Sequence, residues 1–126
     1  MLANAEAVAF LPSEDLDRSE QFFAGVLGLA LVSRSPFAYV FEFGGATLRV
    51  TQVDGLHPQP FTVLGWQVVD LRRVAGQLRE RGTALLRFDG IDQDEHGVWT
   101  TPTGDLVAWF RDPDSNVLSL TQPAPS

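Results

Sequence analysis

Three sets of side chains in this 126-residue chain have the chemistry to hold or act on another molecule. Asp94-Glu95-His96 puts an imidazole beside two carboxylates, with Gly90 and Gly97 on either side. An imidazole titrates near neutral pH and works as a general acid or base once it reaches a substrate. A charged loop of this composition is just as readily solvated surface, and no partner constellation for catalysis accompanies it. Trp66, Trp99 and Trp109 offer flat faces that stack on an organic ring or fill a core. Arg49 is a guanidinium within a strand-like stretch; it either binds an acid or pairs with a carboxylate such as Glu42. Asp112 and Asp114 resemble paired carboxylates, but Pro113 between them makes a turn in which they cap backbone amides. His57, among linker residues, reads as exposed.

Several function classes are excluded at this level. There is no cysteine, so thiolate catalysis, disulfides, iron–sulfur clusters and thiolate-bound zinc all go together. The formal charge of −7, with only nine basic side chains in the chain, argues against nucleic acid and anionic membranes. No Gly-rich phosphate loop, no Gly-x-Ser-x-Gly elbow and no pair of histidines at metal spacing is present. No apolar run reaches membrane-spanning length and the N-terminus lacks a signal-like pattern, so a cytoplasmic location is expected.

The elements that must position these residues repeat. Ala46-Thr47-Leu48-Arg49-Val50-Thr51-Gln52 closes the first half, and Asn116-Val117-Leu118-Ser119-Leu120-Thr121-Gln122 closes the second. Upstream of each lies an apolar strand running into Asp-Leu and an amphipathic helix. In the first half the spacing predicts a strand from Val8 to Ser13, a helix from Leu16 to Leu27 capped by Asp15 and stopped by Gly28, and strands Leu29–Ser33, Pro36–Phe43 and Ala46–Val53. Phe37, Tyr39, Phe41 and Phe43 alternate onto one face of the second of these. Residues 54–60 have the breaker chemistry of a linker. The second half predicts a strand Thr62–Val69, a helix Leu71–Arg81 between Asp70 and Gly82, and strands Ala84–Phe88, Val98–Thr101, Asp105–Arg111 and the closing one. Asp89–Gly97 is an acidic insertion that the first half lacks, and as a flexible loop it could close over a cleft.

The repeat of β-α-β-β-β modules, the helix start Asp15-Leu16-Asp17-Arg18-Ser19, and the turn Asp112-Pro113-Asp114-Ser115-Asn116 before the last strand together resemble the vicinal-oxygen-chelate superfamily of glyoxalase, bleomycin-resistance and extradiol-dioxygenase proteins. Ser115 stands where the pattern has glycine. The resemblance implies an α+β fold: one domain in which two tandem modules, about residues 5–53 and 61–122, form a curved mixed sheet, or half-barrel, with helices on the convex side.

It also implies where a metal would be held, at the start of the first strand and the middle of the last strand of each module. Those positions are Val8, Arg49, Val63 and Ser119. None is His, Glu, Gln or Asp, so no metal or other cofactor is expected; Gln67 is the only nearby donor and a weak one. The reading is a metal-free protein that binds a small organic ligand, anionic or aromatic, without turning it over. Val8, Phe10, Phe41, Arg49, Val63, Gln67, Trp99, Trp109 and Ser119 are its candidate contacts. For Trp99 and Trp109 a core or dimer contact is an equal alternative; Trp66, with the parity of Leu64 and Val68, belongs to the core. The rivals are a glyoxalase-like lyase, isomerase or dioxygenase, of which a metal-independent variant would use Arg49 as oxyanion partner and His96 as base, and a dimeric structural module without ligand. A homodimer is expected from the resemblance.

Overall fold

The computed structural model describes residues Met1 to Ser126, which divide into two compact units, Met1–Pro58 and Gln59–Ser126. The first contains β1 (Val8–Ser13), α1 (Leu16–Glu20), β2 (Ala30–Arg34), β3 (Ala38–Phe43) and β4 (Ala46–Gln52). The second contains β5 (Thr62–Gln67), α2 (Leu71–Glu80), β6 (Trp99–Thr100), β7 (Leu106–Arg111) and β8 (Val117–Gln122). Each unit is a four-stranded mixed sheet, and the strand orders are equivalent: β1-β4-β3-β2 and β5-β8-β7-β6. In both, the first strand runs parallel to the last, and the other pairs are antiparallel. The fold is therefore α+β with two tandem modules, as the repeat implies. No helix is long and apolar enough to cross a membrane.

Local chemistry is duplicated as well. Asp15 accepts the amide of Arg18 at 3.1 Å and Asp70 that of Arg73 at 3.2 Å, each satisfying one orphan donor of a first helical turn. Gly28 and Gly82, with φ of +79° and +86°, occupy the left-handed region after the two helices.

Each sheet has one face under its helix. In the first unit Leu11, Leu48, Val50 and Phe41 are buried there with Phe22 and Phe23. In the second, Leu118, Leu120, Ala108 and Phe110 are buried on the face covered by Leu71, Ala75 and Leu78. Trp66 stacks on Phe110 there, 6.3 Å between ring centroids, so its core assignment holds.

Three expectations need correction. The first helix is α-helical only to Glu20 and continues as a π-helical turn over Gln21–Val26, with the Leu27 amide reaching Phe22 O at 3.0 Å. The wider turn rotates consecutive residues less, so adjacent Phe22 and Phe23 are both buried, Phe23 against Phe41 of the sheet and Phe22 edge-on to Phe23. Residues 84–88 are not a strand; one backbone bond, Leu86 N–H to Trp109 O at 2.7 Å, ties them to β7. The acidic insertion is anchored to its own unit. Buried Gln93 donates to Leu86 O at 2.9 Å and Gly97 O at 2.8 Å and accepts from Phe88 N at 2.7 Å. Arg87 donates to Asp94 O at 2.8 Å.

Candidate functional site

In the first unit the sheet face away from the helix carries Val8, Phe10 and Arg49. Register fixes this: Phe10, Arg49 and Val40 lie side by side across β1, β4 and β3, and Val8, Thr47 and Glu42 form the adjacent row. Phe10 is 65% exposed, Val8 49%, and Arg49 is exposed too. The pairing of Arg49 with Glu42 is not made, and none of the ion pairs found involves Arg49. A guanidinium without a carboxylate, beside an exposed phenyl ring, is free to meet an anion.

Phe41 does not belong to this face. It is fully buried, its ring 5.7 Å from that of Phe23. The signal was present in the sequence. Gly44-Gly45 makes a two-residue turn with φ of +50° and +78°, which sets Phe43 opposite Ala46 and hence Phe41 opposite Leu48. Leu48 and Arg49 are neighbours in a strand, so Phe41 and Arg49 point to opposite faces.

In the second unit the corresponding face carries Gln67, Thr121, Val107 and Trp99 in one row, and Gly65, Ser119 and Trp109 in the next. Val63 sits at an irregularity in β5 and is exposed. Trp99 and Trp109 are stacked, with centroids 6.2 Å apart and planes at 23°. Trp109 is further fixed by its indole N–H donating to Thr62 Oγ1 at 3.1 Å and by Phe88, edge-on at 5.2 Å. Phe88 was not among the expected contacts; it reaches this face from an irregular segment, for which periodicity gives no signal. The three rings form a half-buried aromatic wall beside Ser119 and Gln67.

Val8 and Val63 have no lone pair, Arg49 is a cation with hydrogen-bond donors only, and the Ser119 hydroxyl is a poor ligand next to imidazole or carboxylate. No group of three or more His, Cys, Asp or Glu side chains converges elsewhere. The residues at these positions do not fit a divalent cation.

His96 is held away from the tryptophans. It lines a pocket with Arg72, Ala75, Arg79 and Val98, against α2, and Val98 and Trp99 alternate onto opposite faces. Its neighbour Asp94 organises the insertion, accepting the amides of His96 at 2.9 Å and Val98 at 3.0 Å and the Arg72 guanidinium at 2.8 Å. Desolvation pulls the Asp94 carboxyl up, but these three donors together outweigh it and hold its pKa below the usual aspartate value. Asp112 and Asp114 are turn residues: Asp112 accepts the amides of Asp114 and Asn116, both at 2.9 Å, and the Asn116 side chain at 2.8 Å. Burial pushes the Asp112 carboxyl up, and hydrogen bonds from Asn116 only partly offset this.

No protein-family profile matches the chain. It is 36% identical over 90 residues to the ribosome maturation factor RimM of Rhizobium meliloti, an alignment covering 68% of this chain and 46% of that protein. The chain spans about half the length of the curated relatives it matches. Among solved structures it superposes on TnmS3, an antibiotic binding protein of a Streptomyces species, with TM-score 0.74, 24% identity, and 98% and 99% of the two chains covered. A bleomycin resistance determinant encoded on transposon Tn5 gives TM-score 0.74 and 24% identity over 95% and 98% of the chains. A glyoxalase/bleomycin resistance protein/dioxygenase from Alicyclobacillus acidocaldarius gives 0.73 and 20% over 95% and 92%. The chain thus has the fold of the glyoxalase, bleomycin resistance and dioxygenase proteins, the fold its repeat and its Asp112–Asn116 turn imply.

Proposed function

We propose that this chain is a small-molecule-binding protein of the bleomycin-resistance type, which holds an aromatic or anionic organic ligand without a metal and without chemical change. One observation carries the reading: at the positions where the fold's relatives are expected to present metal donors stand Val8, Arg49, Val63 and Ser119, with an aromatic wall beside the last. In the second unit, stacking on Trp99 or Trp109 supplies area at low entropic cost; in the first unit, taken by itself, Arg49 supplies charge. Gln67 adds a polar contact. The antibiotic-binding and bleomycin-resistance proteins among the structural neighbours support the same reading. A single domain with the ligand in a cleft, a homodimeric state and a cytoplasmic location are parts of this proposal.

Lyase, isomerase and dioxygenase chemistry of the glyoxalase type draws on a Lewis acid that polarises vicinal oxygens, and two valines cannot replace it. The RimM similarity raises a role in ribosome maturation; the charge of −7 counts against contact with RNA. Dimerisation without any ligand is the remaining rival.

The test is a thermal-shift and tryptophan-fluorescence screen with aromatic carboxylates and aromatic antibiotics, run with a metal titration of protein purified without chelator. A ligand at about a hundred times its Kd adds about 2.7 kcal/mol of stability and raises the melting temperature. Arg49→Ala should weaken an anionic ligand about tenfold while changing stability by less than about 0.5 kcal/mol. Stoichiometric uptake of zinc, nickel, manganese or iron(II) overturns the proposal, and silence across a broad library favours the structural module.

A further inference from the structure

We infer that the second unit carries a separate binding site for a small oxyanion, a carboxylate or phosphate on a short apolar group, in the pocket between α2 and the acidic insertion. The pocket measures about 160 Å³ and is lined by Arg72, Ala75, Arg79, His96 and Val98. Positions 72, 75 and 79 follow helical spacing, so two guanidiniums stand on one face of α2 with the small Ala75 between them. That small side chain leaves the space, and buried Ala75 and Val98 give it an apolar floor.

The charge is unusual for this chain. With an overall balance of −7, five of its nine basic side chains, Arg72, Arg73, Arg79, Arg81 and Arg87, lie between positions 72 and 87. Arg72 is anchored by Asp94 at 2.8 Å, which fixes its guanidinium at the rim and leaves its other N–H groups available. Arg79 makes no ion pair of its own among those found. His96 supplies a further donor; its Nε2 stands 3.5 Å from Glu95 Oε1, and the Glu95 side chain is largely in solvent. An oxyanion between Arg79 and His96 would receive a charge-assisted hydrogen bond from the guanidinium and a further hydrogen bond from the imidazole, with its apolar group over Ala75 and Val98.

The volume is well below the roughly 300–1,000 Å³ of drug-sized sites, so the ligand is a small metabolite. This site does not depend on the function proposed above. It lies on the helix side of the sheet, whereas Trp99 and Trp109 lie on the other.

The experiment is a titration of the full ¹⁵N-labelled chain with phenyl phosphate, and in parallel with inorganic phosphate, followed by amide shifts. Saturable shifts centred on Ala75, Arg79, His96 and Val98 are expected, with phenyl phosphate tighter than inorganic phosphate. Arg79→Gln should weaken phenyl phosphate by about tenfold or more, the loss of a charge-assisted contact, and Arg79→Glu should abolish saturation. The denaturation midpoint of Arg79→Gln should stay close to the parent value, since Arg79 is exposed; that of Arg79→Glu should drop slightly, because a carboxylate opposes the dipole in the last turn of α2. Arg49→Ala should leave these shifts unchanged. Absence of saturable shifts at these amides overturns the inference, and so does equal affinity of the parent and Arg79→Gln, or shifts that centre on residues 47–51.

Discussion

Ser119 Oγ lies directly over the backbone of Gly65: a Cβ built on residue 65 would stand 2.5 Å from that oxygen. The two residues are register partners across the parallel β5–β8 pair. Residue 119 is where the resemblance places a metal donor, and here its hydroxyl fills the space beside a strand glycine. Gly65 is therefore required by a close approach, not by a turn.

Gly65→Ala forces the Ser119 hydroxyl out of its rotamer and should cost about 1–2 kcal/mol, as overpacking does. Ser119→Ala removes the obstructing oxygen, so the double variant should recover most of the loss. Urea denaturation of the four proteins measures a coupling of about 0.5–2 kcal/mol. Strict additivity would show that the two side chains do not meet.

A second backbone position departs from the pattern the chain resembles. Ser115 has φ of +68°, the only non-glycine residue in the left-handed region, in the turn that Asp112 organises. A left-handed residue with a Cβ costs about 1–2 kcal/mol, while glycine loses more entropy on folding. Ser115→Gly should stabilise by the difference, about 0.5–1 kcal/mol, read as a higher urea midpoint at unchanged slope. A drop in stability would mean that the serine side chain contributes more than its backbone strain removes.

The repeat made most of the fold legible. Two matching seven-residue closing stretches, two Asp caps and two helix-stopping glycines mark equivalent places, and local chemistry of that kind is written in neighbouring residues. What remained hidden depends on contacts distant in sequence. Nothing near Gln93 announces that its amide joins residues 86, 88 and 97, so the insertion reads as a free loop. The π-helical turn answers two adjacent phenylalanines that both need burial, a tertiary demand that overrides the α-helical period. Strand register sets Arg49, Trp99, Trp109 and Ser119 on the sheet faces away from the helices. Phe41 was misplaced because its face follows from the Gly44-Gly45 hairpin register and not from its own strand.

The acidic insertion also gives the second unit a pH signature. Asp94 is held below the usual aspartate pKa by the Val98 and His96 amides and Arg72, against the desolvation that would raise it. A carboxyl whose folded pKa is depressed contributes stability that is fully present above its unfolded pKa and lost as pH falls through the folded one. Asp112, raised by burial, has the opposite sign: its contribution is present below the unfolded pKa and lost as pH rises through the folded value. The two partly cancel in any pH profile of the parent chain, so the Asp94 effect must be read as a difference. Asp94→Asn keeps an acceptor for both amides and removes the charge facing Arg72. The stability gap between parent and variant should be constant from about pH 7 to about pH 5 and shrink below about pH 4, where an ordinary aspartate protonates. Urea midpoints of both proteins at these pH values give the answer. A gap that stays level or widens in acid would show that Arg72 and the two amides do not stabilise the ionised form of Asp94.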